Sequence, residues 1–213
     1  MNDKPLKDTL AQGLAQLNIQ CDLATQQKLL DYLSLLAKWN KTHNLTAITN
    51  LSEMLTLHIL DSLTVLPHIT GQHVLDVGTG GGFPGMVLAI IDPARHYYLL
   101  DSLQKKISFL THVAHKLNIN NITVINHRVE SYQSEQKFDV IVSRAFSSLQ
   151  QMVKYSYHLA ADNGIFVAMK GQYPEQEIKA LPNDVKLINV IACEVPFLDA
   201  ERHLVLLQKE KGS

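Results

Sequence analysis

The stretch His73–Gly85, HVLDVGTGGGFPG, decides how the chain folds. Val74, Leu75 and Val77 form a short apolar run that ends at Gly78, and Gly80, Gly81 and Gly82 precede Phe83, Pro84 and Gly85. The pattern predicts a buried strand entering a glycine-rich turn. Pro84 suits the first turn of a helix, where its missing N–H has no partner to lose, and Met86 to Ile91 continues as an apolar helical run. A glycine turn lets backbone N–H groups approach a ligand closely, and the helix behind it favours anionic groups. The unit is a ligand cradle at the start of an open α/β sheet.

Gly80, Gly82 and Gly85 spell the GxGxxG of dinucleotide sites, a weak signal alone, while Gly78, Gly80 and Gly82 spell GxGxG with Asp76 two residues earlier. Asp76 favours the second reading. A carboxylate at a strand end can meet an ammonium group, which S-adenosylmethionine carries in its amino-acid moiety and NAD lacks. A turn that binds nothing is the third reading, and the strand and helix flanking it argue against that. Beyond the turn the pattern repeats as βα units, which predicts a mainly parallel sheet with helices on both faces. Tyr97 to Leu100 reads as the second strand, and Asp101 ends it, where an acid typically binds the ribose hydroxyls of either cofactor.

A chain of 213 residues, 46% hydrophobic, supports one main domain with an appendage and excludes disorder. Cys21 and Cys193 form no CxxC pair, so neither a disulfide framework nor a cysteine zinc site is expected. MNDKPLKDTL lacks the apolar centre of a signal peptide, and no apolar run approaches membrane-helix length, so the expectation is a cytoplasmic protein. The formal net charge of −1 gives no whole-molecule attraction to nucleic acid, so any RNA affinity must come from a local patch.

Leu6, Leu10, Leu14 and Leu17 recur at helical spacing despite Gly13, and Leu29, Leu30, Leu33, Leu36 and Ala37 predict a second helix to about Trp39. Trp39 to Leu45 mixes an aromatic, amides and a base, which suits either RNA stacking or a polar helix end with a packed Trp. Ser52 is the expected cap of a third, mostly buried helix running to Leu66. Along it His58, Asp61 and Ser62 share a face, as a hydrogen-bonded structural cluster or as a border of the cofactor turn. After Asp101, the helix built on Leu103, Ile107, Leu110, Ala114 and Leu117 is the most basic in the chain. His112 and His115 lie at i, i+3 on it, without the third ligand that a metal site requires.

Ile122–Ile125 and Phe138–Val142 read as the third and fourth strands, with Val129 and Glu130 after one and Arg144 after the other. Arg144 suits a carboxylate or phosphate; the plainer reading is an ion pair with Asp139 or another acid. Leu149–Leu159 is a helix, Gly164–Met169 a fifth strand with Lys170 at its exit, and a short helix begins at Glu175. Val185–Val195 and His203–Gln208 form a terminal hairpin with Pro196 in its connection.

The chain resembles the RsmG (GidB) family of bacterial small-subunit ribosomal RNA methyltransferases over nearly all its length. The likeness rests on WNKTHNLTAI at Trp39–Ile48, HILDSL at His58–Leu63, LDVGTGGGFPG at Leu75–Gly85, LLDSLQKK at Leu99–Lys106, RVES at Arg128–Ser131, SRAFSSL at Ser143–Leu149, MKGQ at Met169–Gln172 and ERHLV at Glu201–Val205. It implies a class I, Rossmann-like S-adenosylmethionine-dependent methyltransferase. The sheet would have seven strands with the last antiparallel, residues 1–70 forming a helical extension and residues 71–213 the methyltransferase domain. It also implies methyl transfer to N7 of a guanosine in 16S rRNA, with the small ribosomal subunit as partner and no metal. Gly78, Phe83, Val129, Glu130 and Arg144 would contact the cofactor.

N7 of guanine holds an in-plane lone pair and carries no proton at neutral pH, so attack on a sulfonium methyl needs no general base. The task is alignment. On this reading Asp101 and Glu130 fix the adenosine half, Asp76 and the glycine turn (Gly78, Gly80) the methionine half, and Arg144 orients a carboxylate or phosphate. Lys38, Lys41, Lys105, Lys106, Arg144 and Lys170 are the candidate RNA contacts. An NAD-dependent oxidoreductase and a non-catalytic, cofactor-binding assembly factor are the competing functions, and a monomer is the default expectation.

Overall fold

The computed structural model describes residues 4–210. Helix α1 (Lys4–Gln16) packs through Gly13, where an added Cβ would lie 2.7 Å from the Leu60 methyls. The glycine that weakens the helix is therefore the point of close approach. Helix α2 (Leu23–His43) starts on Asp22, whose side chain accepts the Thr25 N–H. It runs four residues past Trp39 because its end is doubly satisfied. Buried Asn40 accepts the N–H groups of Leu45 and Thr46, and Lys105 Nζ donates to the His43 and Asn44 carbonyls.

Helix α3 (Leu51–Met54) is capped by Asn50, which accepts from both Ser52 and Glu53 N–H, and not by Ser52 as expected. The chain then widens into a π-helical turn, Leu55–Leu60, before one further α-turn, α4 (Asp61–Leu63). In the π segment the Asp61 N–H donates to Thr56 O and His58 O, bypassing Leu57 O, which accepts from Arg144 instead.

The sheet contains β1 (His73–Val77), β2 (His96–Asp101), β3 (Ile122–Asn126), β4 (Phe138–Ser143), β5 (Ala160–Lys170), β6 (Val185–Ala192) and β7 (His203–Lys209) in the order β3-β2-β1-β4-β5-β7-β6. β7 is antiparallel to both its neighbours; the remaining pairings are parallel. The order reverses between β1 and β4, which opens a crevice at their carboxyl ends. β5 begins four residues earlier than expected. Asp162, Asn163 and Gly164 resemble a turn but form an irregularity inside the strand, where the pairing with β4 shifts and Asn163 takes φ +61°.

Helices α1 and α2, the α3–π–α4 segment, α5 (Gly85–Ile91) and α6 (Gln104–Leu117) cover one face of the sheet in a single core that runs from Leu10 through Phe83 to Phe109. Helices α7 (Leu149–Ser156) and α8 (Glu175–Lys179) cover the other. The N-terminal helices thus share their core with the strands that carry the crevice.

Candidate functional site

Gly78, Gly80 and Gly82 take φ +69°, +61° and +101°, a left-handed geometry that side chains resist. The Gly78 and Thr79 N–H groups donate to Leu100 O, which anchors the turn over the end of β2. Beneath it Asp76 is fully buried. Its Oδ2 accepts from Thr79 Oγ1 at 2.7 Å and Gly85 N at 2.8 Å, and so ties the two ends of the turn together, while its Oδ1 has no partner. Burial pushes the Asp76 carboxyl up to about 6, against those hydrogen bonds and the charge of Arg144. From above, α2 reaches the same turn: Tyr32 OH donates to Gly81 O, and Phe83 lies between the Tyr32 ring and the His58 ring, stacked at 4.3 Å.

Two cavities flank the turn and meet at Gly78 and Ala145. The larger, about 330 Å³, is bounded by Asp101, Lys106, Val129, Glu130 and Phe146. The smaller, about 140 Å³, lies over Gly78–Gly81 and is bounded by Thr46, His58, Phe83 and Arg144. Asp101 is held at the junction, accepting from Gly80 N at 2.9 Å, Leu103 N at 3.0 Å and Lys106 Nζ at 3.4 Å. Seven of the eight expected cofactor residues therefore line one cavity or the other, and Asp76 lies below them as the tie of the turn. A side chain at Gly78 would meet Ala145 Cβ at 2.7 Å and close the junction.

His58 and Arg144 are also the wall of a third cavity, about 470 Å³, completed by Asp61, Met169, Lys170 and Arg202. Asp61 does not bond to His58 or Ser62. It accepts from Arg144 Nη1 at 3.2 Å and Arg202 Nε at 3.0 Å, while His58 Nε2 bonds Thr46 Oγ1 at 3.0 Å and the buried Ser62 hydroxyl has no partner. Burial and the Arg144 charge lower His58 to about 4, so it is neutral near pH 7. Arg144 pairs with Asp61 and not with Asp139, which instead accepts the Gln72 and His73 N–H groups at the start of β1. Arg202 was not singled out from the sequence, although the Glu201–Val205 motif contains it, and Thr79 was missed inside the glycine turn.

The expected basic residues divide. Lys38 and Lys41 are exposed, whereas Lys105 caps α2, Lys106 pairs with Asp101, and Lys170 pairs with Glu177 at 2.8 Å. Trp39 packs against Phe109 and lies between His43 and His112, with ring centroids at 4.8 and 5.2 Å. No helix among the described residues is long and apolar enough to cross a membrane, and no group of three or more His, Cys, Asp or Glu among them is placed to hold a metal ion.

The family model described as rRNA small subunit methyltransferase G (GidB) matches residues 25–205. Among curated proteins, the ribosomal RNA small subunit methyltransferase G of Marinomonas sp. is 48% identical over 95% of this chain and 98% of its own length. That of Shewanella amazonensis is 48% identical over 96% and 99%. Among solved structures, a SAM-dependent methyltransferase from Aquifex aeolicus superposes with a TM-score of 0.56 at 20% identity, covering 74% of this chain and 93% of its own. The N-methyltransferase NodS from Bradyrhizobium japonicum, solved with S-adenosyl-L-homocysteine, gives 0.55 at 14% identity over 84% and 98%. These structures share the fold.

Proposed function

The chain belongs to the rRNA small subunit methyltransferase G (GidB) family, and from that membership we propose that it transfers a methyl group from S-adenosylmethionine to N7 of a guanine in 16S rRNA. The observation that carries the reading is the pair of cavities joined at Gly78, with Asp101 and Glu130 on one side of the turn and Arg144 on the other. The donor set fits the cofactor. Asp101 and Glu130 offer acceptors for ribose hydroxyls, Val129 an apolar contact for the adenine, and Asp76, beneath the turn, acts on the methionine half by holding Thr79 and Gly85 in place. Gly80 leaves the space above the turn open, since an added Cβ there would meet nothing closer than 3.8 Å.

When bound, the cofactor supplies a methyl group on a positively charged sulfur, which the N7 lone pair accepts without releasing a proton. This chain's residues therefore orient and do not shuttle protons. His58 is held neutral, stacks on Phe83 and bonds Thr46, a wall for the reacting groups with no proton to deliver near pH 7. Arg144 is fixed by Asp61 and Leu57 O and lies 5.4 Å from the Phe83 ring centroid, so its guanidinium is preorganised between the cofactor cavities and the third cavity. N7 faces a groove that side chains cannot enter in A-form RNA, so the guanine must be unpaired when bound.

On this reading residues 1–70 extend the methyltransferase unit of residues 71–213, and the protein works as a monomer in the cytoplasm on the small ribosomal subunit or its RNA. Labelled S-adenosylmethionine and small-subunit RNA from cells lacking the protein test the reaction, with nuclease mapping of the product. Label recovered as 7-methylguanosine is the expected result. No transfer to naked RNA or to intact subunits would leave a cofactor-binding assembly factor as the better reading.

A further inference from the structure

The third cavity adjoins the glycine turn across His58 and Arg144 and contains two arginines tied to one acid. Asp61 is nearly inaccessible, 4% exposed, yet Arg144 and Arg202 remain 31% and 26% exposed. Each guanidinium gives only part of its donor set to the protein. Arg144 Nη1 serves Asp61 and Leu57 O, and Arg202 uses Nε for Asp61 and Nη1 for Glu201 O. Arg144 Nε and Nη2 and Arg202 Nη2 donate to no group among the described residues. Lys170 is answered by Glu177, so one positive charge is left in excess around the cavity. Guanidinium N–H groups held in a fixed plane suit the oxygens of a phosphate, and one excess charge matches one backbone phosphate.

Resting on the proposed RNA methyl transfer, we propose that this cavity seats the RNA backbone phosphate next to the acceptor guanine, with Arg202 as a phosphate-binding residue and Asp61 as the positioning residue that sets both arginines. A phosphate suits the site better than the base itself, because methylation at N7 makes the base cationic, and two guanidiniums against its face would oppose that charge. Arg202 enters from the terminal hairpin and Asp61 from α4, so the site forms only when β7 is docked on β5.

The test uses full-length protein with small-subunit particles from cells lacking it, measuring methyl transfer as a function of salt for wild type, Arg202→Gln, Arg202→Lys and Asp61→Asn. Thermal unfolding and the thermal shift by S-adenosylhomocysteine are recorded for each. Arg202→Gln is expected to lower kcat/KM by about tenfold or more, with the larger share in KM. It should also flatten the slope of log KM against log salt by roughly 0.7, the value for one single-strand phosphate contact. Arg202→Lys should restore the slope and only part of the KM. Asp61→Asn separates a built site from a diffuse patch: removing a negative charge should strengthen a patch, whereas loss of the anchor should raise KM. An Arg202→Gln protein with wild-type KM and slope, or an Asp61→Asn protein with lowered KM, overturns the assignment. So does an Arg202→Gln protein with a reduced S-adenosylhomocysteine shift, which would give the guanidinium to the cofactor carboxylate. Wild-type protein that methylates no RNA overturns the function itself, a separate result.

Discussion

Arg144 joins two cavities of the site, since it touches Asp61, Leu57 O and the Phe83 ring and borders both. Arg144→Ala is expected to lower methyl transfer roughly 10–100-fold, the worth of one or two charged hydrogen bonds, with the fold kept because Arg202 still answers Asp61. Near-wild-type turnover in a steady-state assay would remove it from the site.

Asp76 and His58, both buried, set opposing pH dependences of stability. Asp76 is raised from 3.8 to about 6, so its contribution is full below 3.8 and lost as pH rises through 6. His58 is lowered from 6.5 to about 4, so its contribution is full above 6.5 and lost as pH falls through 4. Each is worth about 3 kcal/mol, and with opposite signs they largely cancel between pH 7 and 4 in the ligand-free protein. Urea unfolding at pH 7 and 4.5 should expose the hidden terms: Asp76→Asn should lose more stability on acidification than wild type, and His58→Gln less. Equal losses in all three proteins would refute the pairing.

At the scale of elements, the glycine turn is held from below by Asp76 and from above by Tyr32. Gly85→Ala would bring a methyl within 2.3 Å of Leu99 Cδ2 and 2.8 Å of Asp76 Oδ2, so the first turn of α5 must move and the Gly85–Asp76 bond be lost. About 1–3 kcal/mol of destabilisation is expected, together with loss of the S-adenosylhomocysteine thermal shift. An unchanged shift would show that the tie between Asp76 and Gly85 is dispensable. What the sequence made legible follows from locality. The strand, the glycine turn, Asp101 and β7 are written in adjacent residues and lie where the pattern puts them, whereas the helix starts at Gly85, just after Pro84, and β6 ends at Ala192, three residues short of Val195. The α3–π–α4 segment was not legible, because an i→i+5 turn of Leu, Thr and Ile has the composition of an α-helix. Nor was the Asp61–Arg202 pair, whose members are separated by 141 positions. The cap at Asn50 was hidden by Ser52, an equally good capping residue two positions on, and the strand irregularity at Asn163 by a sequence that reads as a turn.

For the whole molecule, the sharing of one core between α1, α2 and the sheet means that the N-terminal helices and the sheet have no separate cores on that face. A chain beginning at residue 71 would expose Phe83, Met86 and Phe109, all at most 4% accessible in the intact protein. Such a fragment is expected to keep far-UV helix signal while losing near-UV signal and cofactor binding. A cooperative unfolding transition in it would overturn this.

The hydrogen bond from Tyr32 to Gly81 also imposes an order of events during synthesis. Helix α2 leaves the ribosome early, but the ring surfaces that fix it, Phe83 and Phe109, are encoded roughly 50 to 80 residues later. At typical translation rates of about 5–20 residues per second, the nascent helix must wait on the order of 3–15 s with an apolar stripe uncovered. For that interval the segment that later steadies the glycine turn offers a chaperone an apolar stripe to cover.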